Sequence, residues 1–291
     1  MFERVVVGVD GRDGGRDAVE LARQLMSPAG QVILANVYSD AGTAGLGGRL
    51  AVATQRDHAH TLLNRCRQDS LPEAETVACF DGSPGHGLHE IAAREHADLL
   101  AVGSSRRGLV GRILMGDDTV AVLDRAPCAV VIAPREHASA GTKWTAIGVG
   151  YDASPASERA LAVGRSVAAQ HGAKLLVFTA VSVPSTTFGP GALHVSDVID
   201  PLIDQARNRI AALGGVEPHV AYGATADELT QFSDSVDLLI VGSHGYGPIQ
   251  RLIHGSTSQQ LARSAHCPLL VLPRSGIDET QTAVAQDPQG T

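Results

Sequence analysis

The sequence lacks any excess of positive charge: Lys and Arg number 23 against 31 Asp and Glu, a net charge of −8. Divided after Ala140, the two parts carry 14 against 18 and 9 against 13, so each stands at −4. Affinity for a phosphate backbone rests on clustered Lys and Arg, and no basic segment supplies them, so nucleic acid is not the expected partner. The four cysteines, Cys66, Cys79, Cys128 and Cys267, form no C-x-x-C pair. That leaves neither a zinc knuckle nor a redox motif, and buried reduced thiols are the expected state. No apolar run approaches the ~18 residues of a membrane helix. The opening MFERVVVGVDG enters a strand-like run without the basic and apolar regions of a secretory signal, so the cytoplasm is the expected location.

What is present is a globular composition, 44% hydrophobic and 19% charged over 291 residues, a length that suits two domains. The dominant feature is internal repetition. Asp98-Leu-Leu-Ala-Val-Gly-Ser104 recurs as Asp237-Leu-Leu-Ile-Val-Gly-Ser243, and Arg125-Ala-Pro-Cys-Ala-Val-Val-Ile-Ala-Pro134 is echoed by Ser264-Ala-His-Cys-Pro-Leu-Leu-Val-Leu-Pro273, both at an offset of 139 positions. Near the start, Val7-Gly-Val-Asp10 answers Val149-Gly-Tyr-Asp152 at an offset of 142. A period of about 140 residues suits whole domains rather than solenoid units. The expected organisation is a first domain over 1–134, a linker over 135–142, a second domain over 143–274 and a loose polar tail over 275–291.

In the first copy, strands are expected at Val5–Val9, Val32–Val37, Thr76–Phe80, Leu99–Val102 and Ala129–Ala133. Helices are expected near Gly14–Met26, Ala51–Gln68, Pro84–His96 and Asp117–Arg125. The second copy repeats the strands near Thr145–Gly150, Lys174–Ala180, Val216–Ala221, Leu238–Val241 and Leu269–Leu272. Runs such as Val5-Val-Val and Leu269-Leu-Val-Leu are apolar without alternation, as befits strands covered on both faces. Alternating strands and helices imply right-handed crossovers and two tandem, doubly wound, Rossmann-like α/β domains, each with a mostly parallel five-stranded sheet and helices on both faces. Ligands in such folds sit beyond the carboxyl ends of the strands, which directs attention to the loops after strands one and four.

After the fourth strand of the second copy comes Gly242-Ser-His244-Gly245, then Arg251, then Gly255-Ser256-Thr257-Ser258 at a helix start. Glycines let main chain approach a ligand, and the free N–H groups and hydroxyls of a helix start suit an anion, with phosphate the natural guest. The spacing is neither a Walker loop nor G-x-G-x-x-G. The paired Val-Gly-Val-Asp and Val-Gly-Ser-His-Gly…Gly-Ser elements, with the Pro-Leu-Leu-Val-Leu final strand, resemble the universal stress proteins, here as a tandem pair from Glu3 to Pro273.

That resemblance implies a second domain of the ATP-binding class, with Mg²⁺ accompanying the nucleotide. It places Asp152 and Ala153 on the adenosine side and Ala180 at the adenine pocket. Gly242, His244, Gly245, Gly255, Ser256, Thr257 and Ser258 then surround the phosphates. Apart from the resemblance, Arg251, lying between the glycines, is expected to add charge at the phosphate end. The resemblance also implies pairing of the two domains through their last strands, Cys128–Ala133 and Pro268–Leu272, and pairing of whole chains into a homodimer is a further expectation. Plainer readings stand beside these. Asp152 serves equally to organise the turn before the Ser154-Pro155 helix start, Ser256 to cap the last helix, and His244 and His254 to face solvent. The loops at Gly42–Gly48 and Gly189–Gly191 suit either long connections or lids.

In the first copy, Arg106 stands where the second glycine belongs and Asp117 where the serine belongs, followed by Asp118. Two like charges at ~4 Å cost about 1 to 4 kcal/mol between water-like and surface-like dielectric. One ATP site per chain is therefore expected, with Asp117 read as a helix cap or, together with Asp118, as a divalent-metal or cationic-ligand site. No convincing base accompanies the phosphate loop, so binding is expected first and hydrolysis at most slowly. Alternatives are another adenine ligand such as a cyclic nucleotide, or an interaction protein with vestigial loops.

Overall fold

The computed structural model describes residues 1–39, 46–104, 113, 121–124, 126–141, 143–182, 195–243 and 257–273. The first copy contains β1 (Phe2–Gly8), α1 (Asp13–Leu25), β2 (Met26–Tyr38), α2 (Leu46–Ser70), β3 (Glu75–Phe80), α3 (Pro84–Arg94), β4 (Leu99–Gly103) and β5 (Ala129–Ala133). A short helix α4 (His137–Ala140) leads into β6 (Ala146–Gly150), α5 (Pro155–His171), β7 (Lys174–Val181) and α6 (Val195–Ala211). Then come β8 (Glu217–Tyr222), α7 (Thr225–Phe232), β9 (Leu238–Gly242), α8 (Thr257–Ser264) and β10 (Leu269–Leu272). No helix of the described residues is long and apolar enough to cross a membrane.

The ten strands form one sheet in the order β3-β2-β1-β4-β5-β10-β9-β6-β7-β8. All pairings are parallel except the central one, where β5 meets β10 antiparallel through Ile132↔Leu269, Val131↔Leu270 and Val130↔Val271. The expected pairing through the last strands is thus realised within the chain. An apolar edge that would otherwise template aggregation is covered on each copy by the other. All six joint residues are buried, which removes from water side chains worth about 1.5–3 kcal/mol each.

Within each copy the start of the first strand is clamped to the turn before the fourth. Asp98 accepts the backbone N–H groups of Glu3 and Arg4, and Asp237 accepts those of Thr145 and Ala146. The aspartate that opens the repeated Asp-Leu-Leu motif therefore pins the start of the neighbouring strand. On α1, Ala18, Leu21, Ala22 and Leu25 are buried at helical spacing against the sheet. Helix α5 begins as expected, with Ser154 accepting the Ser157 N–H at 3.2 Å and Pro155 at the first helical position, and it ends on left-handed Gly172.

Several boundaries differ from the sequence reading, among them the starts of β1 at Phe2 and of α2 at Leu46. Helix α1 stops at Leu25 because Ser27-Pro28 biases the chain toward extended backbone, and β2 begins at Met26, well before Val32. The pairing slips between Phe2↔Met26 and Arg4↔Gln31 to absorb the additional residues. The cysteines also divide: Cys128 and Cys267 are buried, and burial pushes the Cys128 thiol up to about 12, whereas Cys66 and Cys79 are half-buried. The segment between the copies is docked rather than free. Buried Asp17 on α1 accepts the backbone N–H groups of Glu136 and Ala138, and His137 is buried with Nε2 at 2.9 Å from Gln24 Oε1. Of the expected helix over Asp117–Arg125, residues 121–124 are described and hold a 3-10 turn at Ala121–Leu123, and of the expected loop over Gly42–Gly48, Leu46–Gly48 already belong to α2. The remainder of both, the loop at Gly189–Gly191 and the tail over 275–291 fall outside the described residues.

Candidate functional site

Parallel strands followed by helices bring strand carboxyl ends and helix amino ends to one edge of the sheet. In the second copy, β6, β7 and β9 end there, and α5, α7 and α8 begin there. Between them lies a cleft of about 110 Å³ lined by Tyr151, Asp152, Ser154 and Ser157 after β6, and by Phe178, Thr179 and Ala180 of β7. Thr225 and Leu229 of α7, Val241 and Gly242 of β9, and Thr257 and Ser258 of α8 complete the described lining, with Gly150 at its floor.

The turn after β6 is tightly specified. The Tyr151 N–H donates to the Phe178 carbonyl at 2.8 Å, and the Tyr151 carbonyl accepts the Thr179 hydroxyl. Asp152 then folds the turn back, its Oδ1 accepting the Ser154 N–H at 3.0 Å. Ala153 takes a left-handed backbone with φ of 63°, a conformation that costs a residue with a Cβ about 1 kcal/mol. The Tyr151 hydroxyl donates to the Glu158 carboxylate, and burial together with that carboxylate pushes the phenol up to about 12. Tyr151 is therefore a neutral wall of the cleft rather than an acid.

Gly242 is demanded by packing. A Cβ there would stand 2.7 Å from the Ala156 main chain, so β9 can pass the first turn of α5 only as glycine. Helix α8 is fixed beside α7, since Gln260 donates to Asp227 at 2.8 Å and the Ser264 and Thr230 hydroxyls meet at 3.0 Å. That contact aims the amino end of α8, with Thr257 and nearly buried Ser258, into the cleft. Asp152 is the single carboxylate among the described lining residues, and no Lys, Arg or His joins it there.

The structure therefore brings Asp152, Ala180, Gly242, Thr257 and Ser258 together around one cleft. Ala153 lies in the same turn, where its contribution is backbone conformation. His244, Gly245, Arg251, Gly255 and Ser256 lie outside the described residues, as do Arg106, Asp117, Asp118 and His254. Sequence reasoning missed Tyr151, Ser157, Phe178, Thr179, Thr225 and Leu229 as cleft residues. A signal existed for Thr225, which starts the helix after the strand next to β7.

The first copy opens differently. A hollow of about 390 Å³ lies between the β1–α1 turn and α2. Two ion pairs lie within its charged lining, Arg12 with Asp10 at 3.4 Å and Arg65 with Asp69 at 3.8 Å.

The comparisons with known proteins agree with this architecture. The universal stress protein family profile matches residues 1–134 and again 143–273. A universal stress protein of Mycobacterium tuberculosis is 31% identical over 192 residues, a match that spans 64% of this chain and 65% of the relative's own length. Among solved structures, a universal stress protein from Archaeoglobus fulgidus superposes with a TM-score of 0.69 at 17% identity, covering 94% of this chain and 98% of that one. A structure from Pseudomonas aeruginosa gives 0.67 at 15% identity, covering 98% of both chains. At those identities the structural likeness speaks for the fold, whereas the twofold profile match spans most of the sequence: the chain belongs to the universal stress protein family, with the family's domain present twice.

Proposed function

We infer that the second domain is the nucleotide-binding half of this chain, that its ligand is ATP with Mg²⁺, and that occupancy sets conformation or partner affinity in a stress-signalling role. The observation that carries this reading is the convergence of Asp152, Ala180, Gly242, Thr257 and Ser258 on a single cleft at the carboxyl edge of the sheet. Asp152, its Oδ1 held by the Ser154 N–H, places a carboxylate beyond the first strand where ribose hydroxyls would lie. Ala180 presents only a methyl group beside Phe178, which suits a flat base. Thr257 and Ser258 supply hydroxyls and N–H groups of a helix start to phosphate, and Gly245, Gly255 and Ser256, with His244 and Arg251, complete that end by sequence. With one carboxylate in the described lining, the site fits a magnesium ion held chiefly by the phosphates themselves. The described part of the cleft, about 110 Å³, takes one part of a nucleotide, since ligand-sized pockets run to about 300 Å³ or more. A cyclic nucleotide, whose single phosphate asks less of the phosphate loop, is the second reading.

Isothermal titration with ATP and Mg²⁺ tests the reading. One equivalent per chain is expected, with about tenfold weaker binding in Asp152→Asn, which keeps the turn but loses the charge. Displacement of ATP by cyclic AMP at lower concentration would favour the second reading, and no heat with either nucleotide overturns both.

A further inference from the structure

Outside the cleft, the turn from β3 into α3 carries a group of donors that the nucleotide reading does not use. Asp81 is held there by the main chain: its N–H donates to the Tyr38 carbonyl at 3.0 Å, and its Oδ1 accepts the Ser83 N–H at 2.7 Å. Oδ2 is left to side chains and lies 2.7 Å from His86 Nδ1. Glu90 follows His86 by four residues on α3, the spacing that places two side chains on one helix face. One ligand atom from each of the three lies within 4.8 Å of the other two.

We propose that Asp81, His86 and Glu90 form a binding site for one divalent transition-metal ion on the first domain. Two ligands held about 2.0–2.1 Å from a common ion stand about 3 Å apart, and the Asp81–His86 pair is already near that separation. The division of labour on Asp81 is that of an oriented ligand, with one oxygen fixed by the backbone and the other turned to the ion. His86 is open to solvent, its side chain 64% exposed, so an ion has a path in and water completes its coordination. The imidazole directs the site toward zinc, cobalt or nickel rather than magnesium or calcium, whose preferred ligands are all oxygen. Arg94, four residues after Glu90, turns its Nε to Glu95 at 3.1 Å.

The second copy lacks the arrangement. Gly223 occupies the position of Asp81, donating its N–H to Val181 as Asp81 does to Tyr38, and α7 contains no histidine. The His266–Asp234 pair in that copy, Nδ1 to Oδ1 at 2.5 Å, has no third donor within the same reach among the described residues and serves as an internal control.

The test is calorimetric titration of the metal-free full chain with zinc chloride near neutral pH, beside His86→Gln, Asp81→Asn, Glu90→Gln and His266→Gln. The wild type is expected to bind one equivalent that His86→Gln removes and that Asp81→Asn and Glu90→Gln each weaken at least tenfold, while His266→Gln leaves it unchanged. Glu90 and His86 are exposed, so these variants retain the fold, which thermal melting verifies. Equal binding by all four variants would show an adventitious ion only and overturn the proposal. Loss of the equivalent in His266→Gln alone would overturn it as well.

Discussion

The two copies repeat several framework hydrogen bonds at matching positions, and their sequences part company in the loop after the fourth strand. In the first, Val9 N–H reaches the Ala35 carbonyl at 2.8 Å and Asp10 Oδ1 accepts Arg12 N–H at 3.0 Å; in the second, Tyr151 and Asp152 repeat both bonds at the same lengths. Ser104 N–H to Ala133 and Ser243 N–H to Leu272 repeat likewise, at 2.9 and 2.8 Å. Beyond those serines, one copy continues through Arg106 and Asp117-Asp118 and the other through Gly245 and Ser256-Thr257-Ser258. The difference separates two kinds of motif residue. The aspartate after the first strand is present in both copies and does the same turn-forming work in each, so its presence alone marks the fold. The residues that differ are those on which ligand selection between the copies would rest.

The largest expected effect belongs to the shared part. A Cβ at Gly103 would stand 2.1 Å from the Gly14 carbonyl oxygen and one at Gly242 2.7 Å from Ala156 main chain, so Gly103→Ala and Gly242→Ala should each destabilise by roughly 3 kcal/mol or more. Urea unfolding measures this, and an undisturbed Gly242→Ala would mean that glycine serves the ligand alone.

A smaller effect distinguishes the copies by pH. His137 docks on α1 of the first copy, and burial holds its imidazole below the usual range, against the opposing pull of Asp17. The unfolded chain therefore takes up a proton near pH 6.5 that the folded chain refuses until lower pH. This contribution is complete above about pH 6.5 and is lost as pH falls toward the depressed folded value, at no more than about 1.4 kcal/mol per pH unit. Thermal melts from pH 7.5 to 5.5 should show a shallower acid loss in His137→Gln than in wild type.

The smallest effect lies in the turn itself. Gly11 and Ala153 occupy equivalent left-handed positions, φ 77° and 63°. Ala153→Gly should stabilise by about 0.5 kcal/mol, the relieved strain being partly offset by a more flexible unfolded chain. Gly11→Ala should destabilise by about 1 kcal/mol from the same strain, with Leu62 obliged to move as well.

These comparisons also show why some of the molecule was readable in advance. Uninterrupted runs such as Val5-Val-Val and Leu269-Leu-Val-Leu announced doubly covered strands because burial on both faces removes the polar alternation. The early start of β2 was hidden because Met26–Gly30 is neither apolar nor regular, and its pairing depends on a slip against β1. By sequence Asp17 is one acid among several on a helix; its role in docking the inter-domain segment depends on residues more than a hundred positions away. In the cleft, Asp152, Gly242, Thr257 and Ser258 were visible because each sits in a repeated or glycine-marked motif. Phe178, Thr179 and Thr225 carry no such mark and reach the cleft only through the order of the strands.

The most direct test transfers the first copy's departures into the second. Titration calorimetry with ATP and Mg²⁺ would compare the wild type with Gly245→Arg/Ser256→Asp. The expected result is about one equivalent bound by the wild type and none detected in the double variant, with both proteins melting alike. Two equivalents in the wild type, or unchanged binding in the variant, would contradict the assignment of the nucleotide to the second domain's loop.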